Sequence, residues 1–505
     1  MPLSDRNQSS YRQLLKSSAL IGGSTAITVL LGVVRTKVLA VLVGTAGMGL
    51  FGAFNSVMLL ATGVAGMGIN TSGVRQIAEA DATGDQQRIA RTVVTLRRTS
   101  LVMGVLGMLI LVVCCGPIAR ATFGDTTYRG AVALLSLTVL FASVAGGQTA
   151  LIQGLRRIRD LAALNIWGAV LGTVCSIPIV FFLREQGIVP FLVTVSALSI
   201  ATAWWYARKI KIERVALPWS AVWGEAQALL GMGVVFMASA LMANAVAYFT
   251  RVMVIRQMNL EAAGLYQAAW MLSSVYVGFV LNAMGADYYP RLTAVAGDNK
   301  EVNRLVNEQT EAALLMVLPG ILGTLTFAPL VIHLFYSTQF EPAVGILRWQ
   351  ILGILGRVIS WPVGFVLLAK GCARAFFWTE LASNLVHLSL IWLMMKWFGL
   401  NGLGMAFLGL YVFCGLLVWV VVRRLSGFSW TRANLRLGGG VGLAAALVFL
   451  ATAGRLPATV GVGIGALLTL AAGIYAVHHL TRRAGCAGWA DVWGRLQARR
   501  RGRGL

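Results

Sequence analysis

Six ionisable side chains stand inside long apolar runs of this 505-residue sequence: Arg35, Lys37, Arg251, Arg348, Arg357 and Glu380. Five are cations and one is an acid. An ionised group within a bilayer costs about 2.5–3.5 kcal/mol on insertion scales unless it faces a cavity or a partner. One carboxylate cannot neutralise five cations, so a water-filled cavity holding them calls for a mobile anion. A guanidinium forms paired hydrogen bonds to phosphate oxygens, which makes diphosphate the anion of matching chemistry. An exporter of organic cations would carry embedded carboxylates instead. For each basic residue the competing roles are a structural ion pair or a head group snorkelling to the interface.

Depth and helix phase sort these residues. At 1.5 Å per residue Arg357 lies about 21 Å into its span, Arg35 about 27 Å and Arg251 about 33 Å. Arg348 is only about 8 Å from its outer end, within snorkelling reach. Arg35 and Lys37 are separated by about 200° around a helix, and Arg348 and Arg357 by about 180°. Only one of each pair can face a single cavity, which favours Arg35 and Arg357, with Arg251 as the third member. Lys37 and Arg348 are the weaker substrate-binding candidates. Glu380 opens a face with Asn384 and His387, at i+4 and i+7, suited to carrying a coupling proton. The alternative for Glu380 is an interfacial acid bonded to a cation such as Lys370.

The elements that position these residues are long apolar helices. The chain is 58% hydrophobic and 12% charged, with a mean hydropathy of +0.77. That composition excludes disorder, a coiled coil and an ordinary soluble enzyme. Backbone groups in lipid must be satisfied within the segment, so spans of about 20 apolar residues are helices. Fourteen are predicted: 17–43, 51–73, 99–119, 131–154, 161–183, 188–207, 229–257, 262–285, 311–335, 343–369, 376–396, 401–422, 436–454 and 457–479. An even number places both termini on one side. That side collects 31 of the 42 basic residues, against six opposite and five within the spans. The bias predicts cytoplasmic termini and accounts for most of the net charge of +24 without nucleic acid as a partner. No cleaved signal peptide is expected.

The chain also resembles itself. Arg35 matches Arg251 at an offset of 216, Gly49 matches Gly264 at 215, Arg75 matches Arg291 at 216, and Gly84-Asp85 matches Gly297-Asp298 at 213. Two six-helix lobes in the same orientation follow, 1–214 and 215–425, related by a pseudo-two-fold axis along the membrane normal with a cavity between them. Two further spans occupy 426–480. A basic tail, 481–505, carries an apolar stripe of Trp489, Val492, Trp493 and Leu496 that reads as a cytoplasmic interfacial helix. The six cysteines have neither disulfide nor zinc spacing, His478 and His479 read as interfacial, and no phosphate-binding glycine loop, metal cluster or nucleophile arrangement is present. No cofactor and no enzymatic activity are expected. Pro178, Pro319 and Pro362 are kink candidates within spans.

Several stretches carry a family resemblance. They are Ala263-Gly264-Leu265-Tyr266-Gln267-Ala268-Ala269-Trp270, Ala286-Asp287-Tyr288-Tyr289-Pro290-Arg291-Leu292 and Asn307-Glu308-Gln309. Leu347-Arg348-Trp349-Gln350-Ile351-Leu352-Gly353, Val358-Ile359-Ser360-Trp361-Pro362, Ala369-Lys370-Gly371 and Gly154-Leu155-Arg156-Arg157 complete the set. Over roughly residues 15–425 the chain resembles Wzx-type O-antigen translocases of the multidrug/oligosaccharidyl-lipid/polysaccharide exporter superfamily. The resemblance implies a two-lobe, alternating-access flippase in the bacterial inner membrane. Its cargo would be an undecaprenyl-diphosphate-linked oligosaccharide, its surroundings membrane lipids, and a polysaccharide polymerase a candidate partner. By analogy Arg35, Arg251 and Arg357 would handle the anionic headgroup. Two departures stand out. Ile354 occupies a position commonly acidic in the family, and many members stop at twelve spans. Competing functions are a lipid II flippase, which commonly has fourteen spans, a cation-coupled drug exporter of the same fold, and a membrane scaffold for a polymerase.

Overall fold

The computed structural model describes residues 3–483 apart from 214 and 456, with side chains described from residue 20 onward except for short stretches, mainly in the eighth and ninth helices. The interfacial helix expected at 485–505 lies outside the described residues. Every regular element among the described residues is a helix. Packing divides the chain into two compact units, Met1–Gln267 with Phe335–Gln339, and Ala268–Leu334 with Phe340–Leu505.

The first unit holds α1 (Leu3–Gly66), α2 (Ile69–Thr83), α3 (Gln86–Val113), α4 (Cys115–Phe123), α5 (Arg129–Gly154), α6 (Ile158–Leu183), α7 (Ile188–Ala207), α8 (Trp219–Gln257) and the start of α9 (Leu260–Ala294). The second holds the rest of α9, then α10 (Asn299–Thr326), most of α11 (Ala328–Phe335), α12 (Ala343–Ala369), α13 (Ala373–Phe398), α14 (Leu400–Ser426), α15 (Arg432–Leu450) and α16 (Ala458–Arg483). Ten stretches among the described residues are long and apolar enough to cross a membrane. Two of these, Gly22–Gly66 and Ile158–Ala207, hold two helices each: α1 is broken at Gly44 (φ 67°, ψ −165°), and a 3-10 turn, Arg184–Gly187, separates α6 from α7. With α8 and α9 the helices fall on the fourteen predicted segments, and the protein is an all-α multi-pass membrane protein.

Three segment ends differ from the prediction. The segment 51–73 stops at Gly66 and resumes at Ile69, because Met67 and Gly68 both take positive φ. The segments 99–119 and 311–335 each break, at Cys114 and Phe327, into a long helix and a short one. Pro117 and Pro329 lie in the first turns of the short helices, where a missing N–H costs no intrahelical bond. Pro178, Pro319 and Pro362 sit inside continuous helices.

The repeat is visible in local geometry. Asp85 caps α3 by accepting from the backbone N–H groups of Gln87 and Arg88, and Asp298 caps α10 through Lys300 and Glu301. The turn after α5 is closed by Arg156 N→Gln153 O, Arg157 N→Ile152 O and Ile158 N→Arg156 O. The turn after α12 repeats all three bonds at an offset of 215, through Gly371, Cys372 and Ala373. Arg156 (φ 53°) corresponds to Gly371 (φ 69°), and Arg184 (φ 51°) to Gly399 (φ 56°). The second half uses the residue that tolerates positive φ, and the first accepts a cost of about 1–3 kcal/mol at each arginine.

Matching cores follow. Ile77, Ile89, Val93, Leu151 and Ile152 pack together in the first unit. Their counterparts Leu292, Val302, Val306, Val366 and Leu367 do so in the second. Where helices meet inside lipid there is little hydrophobic drive, and small residues set the approach. The clearest case is the crossing of α1 with α9. A Cβ on Gly49 would collide with the Leu260 carbonyl, and one on Gly264 with the Thr45 carbonyl. Leu260 and Thr45 are themselves 215 apart, so the contact is reciprocal, as a two-fold relation requires.

Candidate functional site

In the first unit Arg35 is half-buried on α1. Its guanidinium lies over the Phe191 ring of α7, 5.7 Å from the centroid, and beside Gly172 of α6. Lys37, two residues on, is exposed. Arg251 on α8 is 6% exposed and donates to neutral oxygens. Nε and Nη2 both reach Gln267 Oε1, at 3.1 and 2.7 Å, and Nη1 reaches Ala247 O at 2.8 Å. Gln267 in turn packs on Gly52 of α1. The Gln267 side chain, which sequence reasoning quoted only as part of a motif, is therefore the partner that holds Arg251 in place.

The second unit gathers a polar cluster around Tyr411 of α14. Arg357 from α12, Glu380 from α13 and Cys414 from α14 all lie within electrostatic reach of its hydroxyl. Gly353 and Gly356 of α12 permit this, since Cβ atoms there would press on Phe407 and Tyr411. Arg348, nine residues before Arg357, is half-buried, and its Nε is enclosed with no hydrogen-bond partner. Two residues along, Gln350 is fully buried and accepts from Ser273 Oγ at 3.1 Å. The buried stripe of α13 runs through Thr379, Ser383, His387, Ile391 and Met395. Glu380 and Asn384 lie beside that stripe, half-buried, while His387 is 6% exposed with its ring edge-on to Phe407 at 6.3 Å. The structure thus brings Arg357 and Glu380 to one neighbourhood and sets His387 against an aromatic ring. Tyr411 had no signal in the sequence beyond being a lone tyrosine in an apolar run.

Among the described residues every ion pair is made by other groups. Arg75–Glu79, Arg157–Asp160, Arg291–Asp287, Arg304 with Glu301 and Glu308, and His479–Glu311 all lie at or beyond the ends of the predicted spans. None joins a carboxylate to Arg35, Arg251, Arg348 or Arg357. Arg251 is held by an amide and a carbonyl oxygen, and Arg35 by an aromatic face. Such groups hold a guanidinium in place and leave its positive field available to an anion. Among the described residues no cluster of metal-ligating side chains occurs.

Comparison with known proteins agrees with this architecture. The model of a family described as "Polysaccharide biosynthesis protein" matches residues 38–345. The lipid III flippases of Escherichia coli (strain K12) and Shigella flexneri are each 24% identical over 420 residues, covering 80% of this chain and 99% of theirs. Among solved structures, the lipid II flippase MurJ in an inward closed conformation superposes with a TM-score of 0.70 at 12% identity. It covers 91% of this chain and 98% of its own. An inward-facing multidrug resistance MATE family transporter of the MOP superfamily superposes with a TM-score of 0.64 at 14% identity, covering 79% and 94%. The relatives are transporters and flippases.

Proposed function

Because the chain belongs to the polysaccharide biosynthesis protein family, we propose that it is a flippase moving a polyprenyl-diphosphate-linked oligosaccharide across the bacterial inner membrane by alternating access. The carrying observation is the set of embedded arginines with no carboxylate partner among the described residues. A field of that sign favours a diphosphate over an organic cation, which argues against drug export. Arg357 and Arg35 are the anion contacts in this reading. Arg251, spent on Gln267, is the residue that positions α8 against α9. The lipid III flippase relatives support a lipid-linked cargo. Termini on the cytoplasmic side follow from the charge bias, and a polysaccharide polymerase is the partner to which the cargo would pass.

A second reading, a lipid II flippase, draws on one observation. The MurJ superposition takes in 91% of the chain, whereas the match to the lipid III flippases leaves a fifth of it uncovered. Reconstitution separates the two. Purified protein in liposomes is given fluorescent polyprenyl-diphosphate oligosaccharide or fluorescent lipid II, and quenching from outside reports movement. Flipping of the oligosaccharide with little movement of lipid II is expected. Movement of lipid II alone supports the second reading, and movement of neither rejects both.

A further inference from the structure

One difference between the two halves opens space in the first. In the second, Trp361 of α12 lies against Gly285 of α9, where a Cβ would stand 3.1 Å from its ring, and stacks with Tyr288 and Phe365. An offset of 215 maps Trp361 to Gly146 of α5 and Gly285 to Asn70 of α2. In the first half the indole is missing, the helix is interrupted at Met67–Gly68, and a cavity of about 260 Å³ opens between α1, α2, α3, α5 and α8. Its polarity has changed with its volume. Ser100 replaces the buried Ala313 (offset 213), and Ser143 replaces the buried Val358 (offset 215). Ser100 is 2% exposed, and its Oγ and that of Ser143 are enclosed without hydrogen-bond partners. Gly147 makes room for Ser100, since a Cβ there would stand 2.5 Å from its Oγ. Gly68 begins α2 without a side-chain cap, which presents the first N–H groups of α2 to the same space.

We propose that this cavity binds one uncharged, hydroxyl-bearing ring of the cargo, a single pyranose of the lipid-linked saccharide. The proposal rests on the flippase reading above and adds a site for the sugar to the arginines assigned to the diphosphate. Among the described residues no ionisable side chain lines the cavity. A metal cation there would have no counter-charge, and an oxyanion only a helix terminus. A sugar hydroxyl donates and accepts, so it meets the uncapped N–H groups of α2 and, once the Ser100 and Ser143 side chains rotate toward the space, their hydroxyls as well. Pockets for drug-sized ligands begin at about 300 Å³, so this one suits a single ring. Ala142, the counterpart of Arg357 at the same offset, lines it, so the halves place a charge and a neutral pocket at corresponding positions.

The test uses the full chain in lipid nanodiscs and saturation-transfer NMR with methyl glucoside and methyl N-acetylglucosaminide, with inorganic phosphate and sodium as competitors. Transfer to at least one glycoside, unaffected by phosphate or sodium, is expected. Two variants follow, Gly146→Trp with Asn70→Gly, which transplants the plug of the second half, and Ser100→Ala with Ser143→Ala, which removes only the unpartnered hydroxyls. The plug should abolish transfer, and the serine pair should weaken it and slow liposome flipping about tenfold, the loss of two hydrogen bonds. No transfer, transfer equal in wild type and the serine pair, or displacement by phosphate or sodium overturns the proposal. Failure of the wild type to flip any lipid-linked saccharide overturns the flippase reading instead, while normal flipping in both variants overturns only the pocket.

Discussion

Arg357 and Arg251 are the same side chain in two different situations, and their variants should separate. Arg357 sits half-buried near Tyr411 and Glu380, and among the described residues no ion pair joins it to a carboxylate. Arg357→Ala should lower flipping about tenfold or more at normal membrane abundance, the loss of one charge-assisted, bidentate contact. Arg357→Lys should restore part of it, since charge returns without the planar fork. Export of surface polysaccharide in cells reads this directly, and normal export in the Ala variant contradicts the assignment. Arg251 is buried with both fork nitrogens on one amide oxygen. Arg251→Lys cannot span both bonds and should destabilise the protein by about 2 kcal/mol, the range for hydrogen bonds to charged groups. A lowered melting temperature in detergent, with flipping lost in proportion to folded protein, is the expected result. Loss of flipping at an unchanged melting temperature would instead make Arg251 a cargo contact.

Among the elements, the start of α15 is hydrogen-bonded to α10 through one residue, Asn307. Asn307 Nδ2 donates to Ser429 O at 3.1 Å, its Oδ1 accepts from Thr431 N at 3.0 Å, and Asn434 Nδ2 reaches both Asn307 oxygens at 2.8 and 3.0 Å. Asn307→Ala removes the side-chain members of this set and should cost about 2–3 kcal/mol, at roughly 1 kcal/mol per bond. The loss should be local. Faster hydrogen exchange in α15, with α3 and α5 unchanged, is the measurement, and uniform exchange across the chain would refute it. Asn307 was visible in the sequence as part of a family motif, but its role was not. Hydrogen bonds to residues 122–127 positions away leave no periodicity to read. The apolar segments and the repeat were legible because lipid demands length and the repeat preserves landmarks. The end of the first segment at 43 meets the break at Gly44, whereas the breaks at Met67–Gly68 and Cys114 fall inside predicted segments, where apolar composition runs on without interruption. Embedded charges were likewise legible as rarities, whereas Gln267 and Tyr411, which surround them, are ordinary residues until packing places them.

At the scale of the whole molecule, fourteen apolar helices and the bias of basic residues make one prediction about orientation. A fluorescent protein fused to either end should fluoresce, and a phosphatase that works only outside should stay inactive at both. An active phosphatase fusion at one end alone would mean an odd number of crossings. The reciprocal contact of α1 with α9 has a further consequence, for energetics. Because Gly49 meets Leu260 and Gly264 meets Thr45 across one crossing, a methyl group at either glycine forces the same separation of the same two helices. Once Gly49→Ala has pushed them apart, Gly264→Ala finds the space already open. The double variant should therefore be less damaged than the two single losses together, with a coupling energy of about 0.5–3 kcal/mol in a double-mutant cycle. Strict additivity in thermal unfolding would show that each glycine is relieved independently. A duplicated sequence would then have left two separate contacts where the geometry implies a single shared degree of freedom, and drift at one glycine would carry no licence for change at its twin.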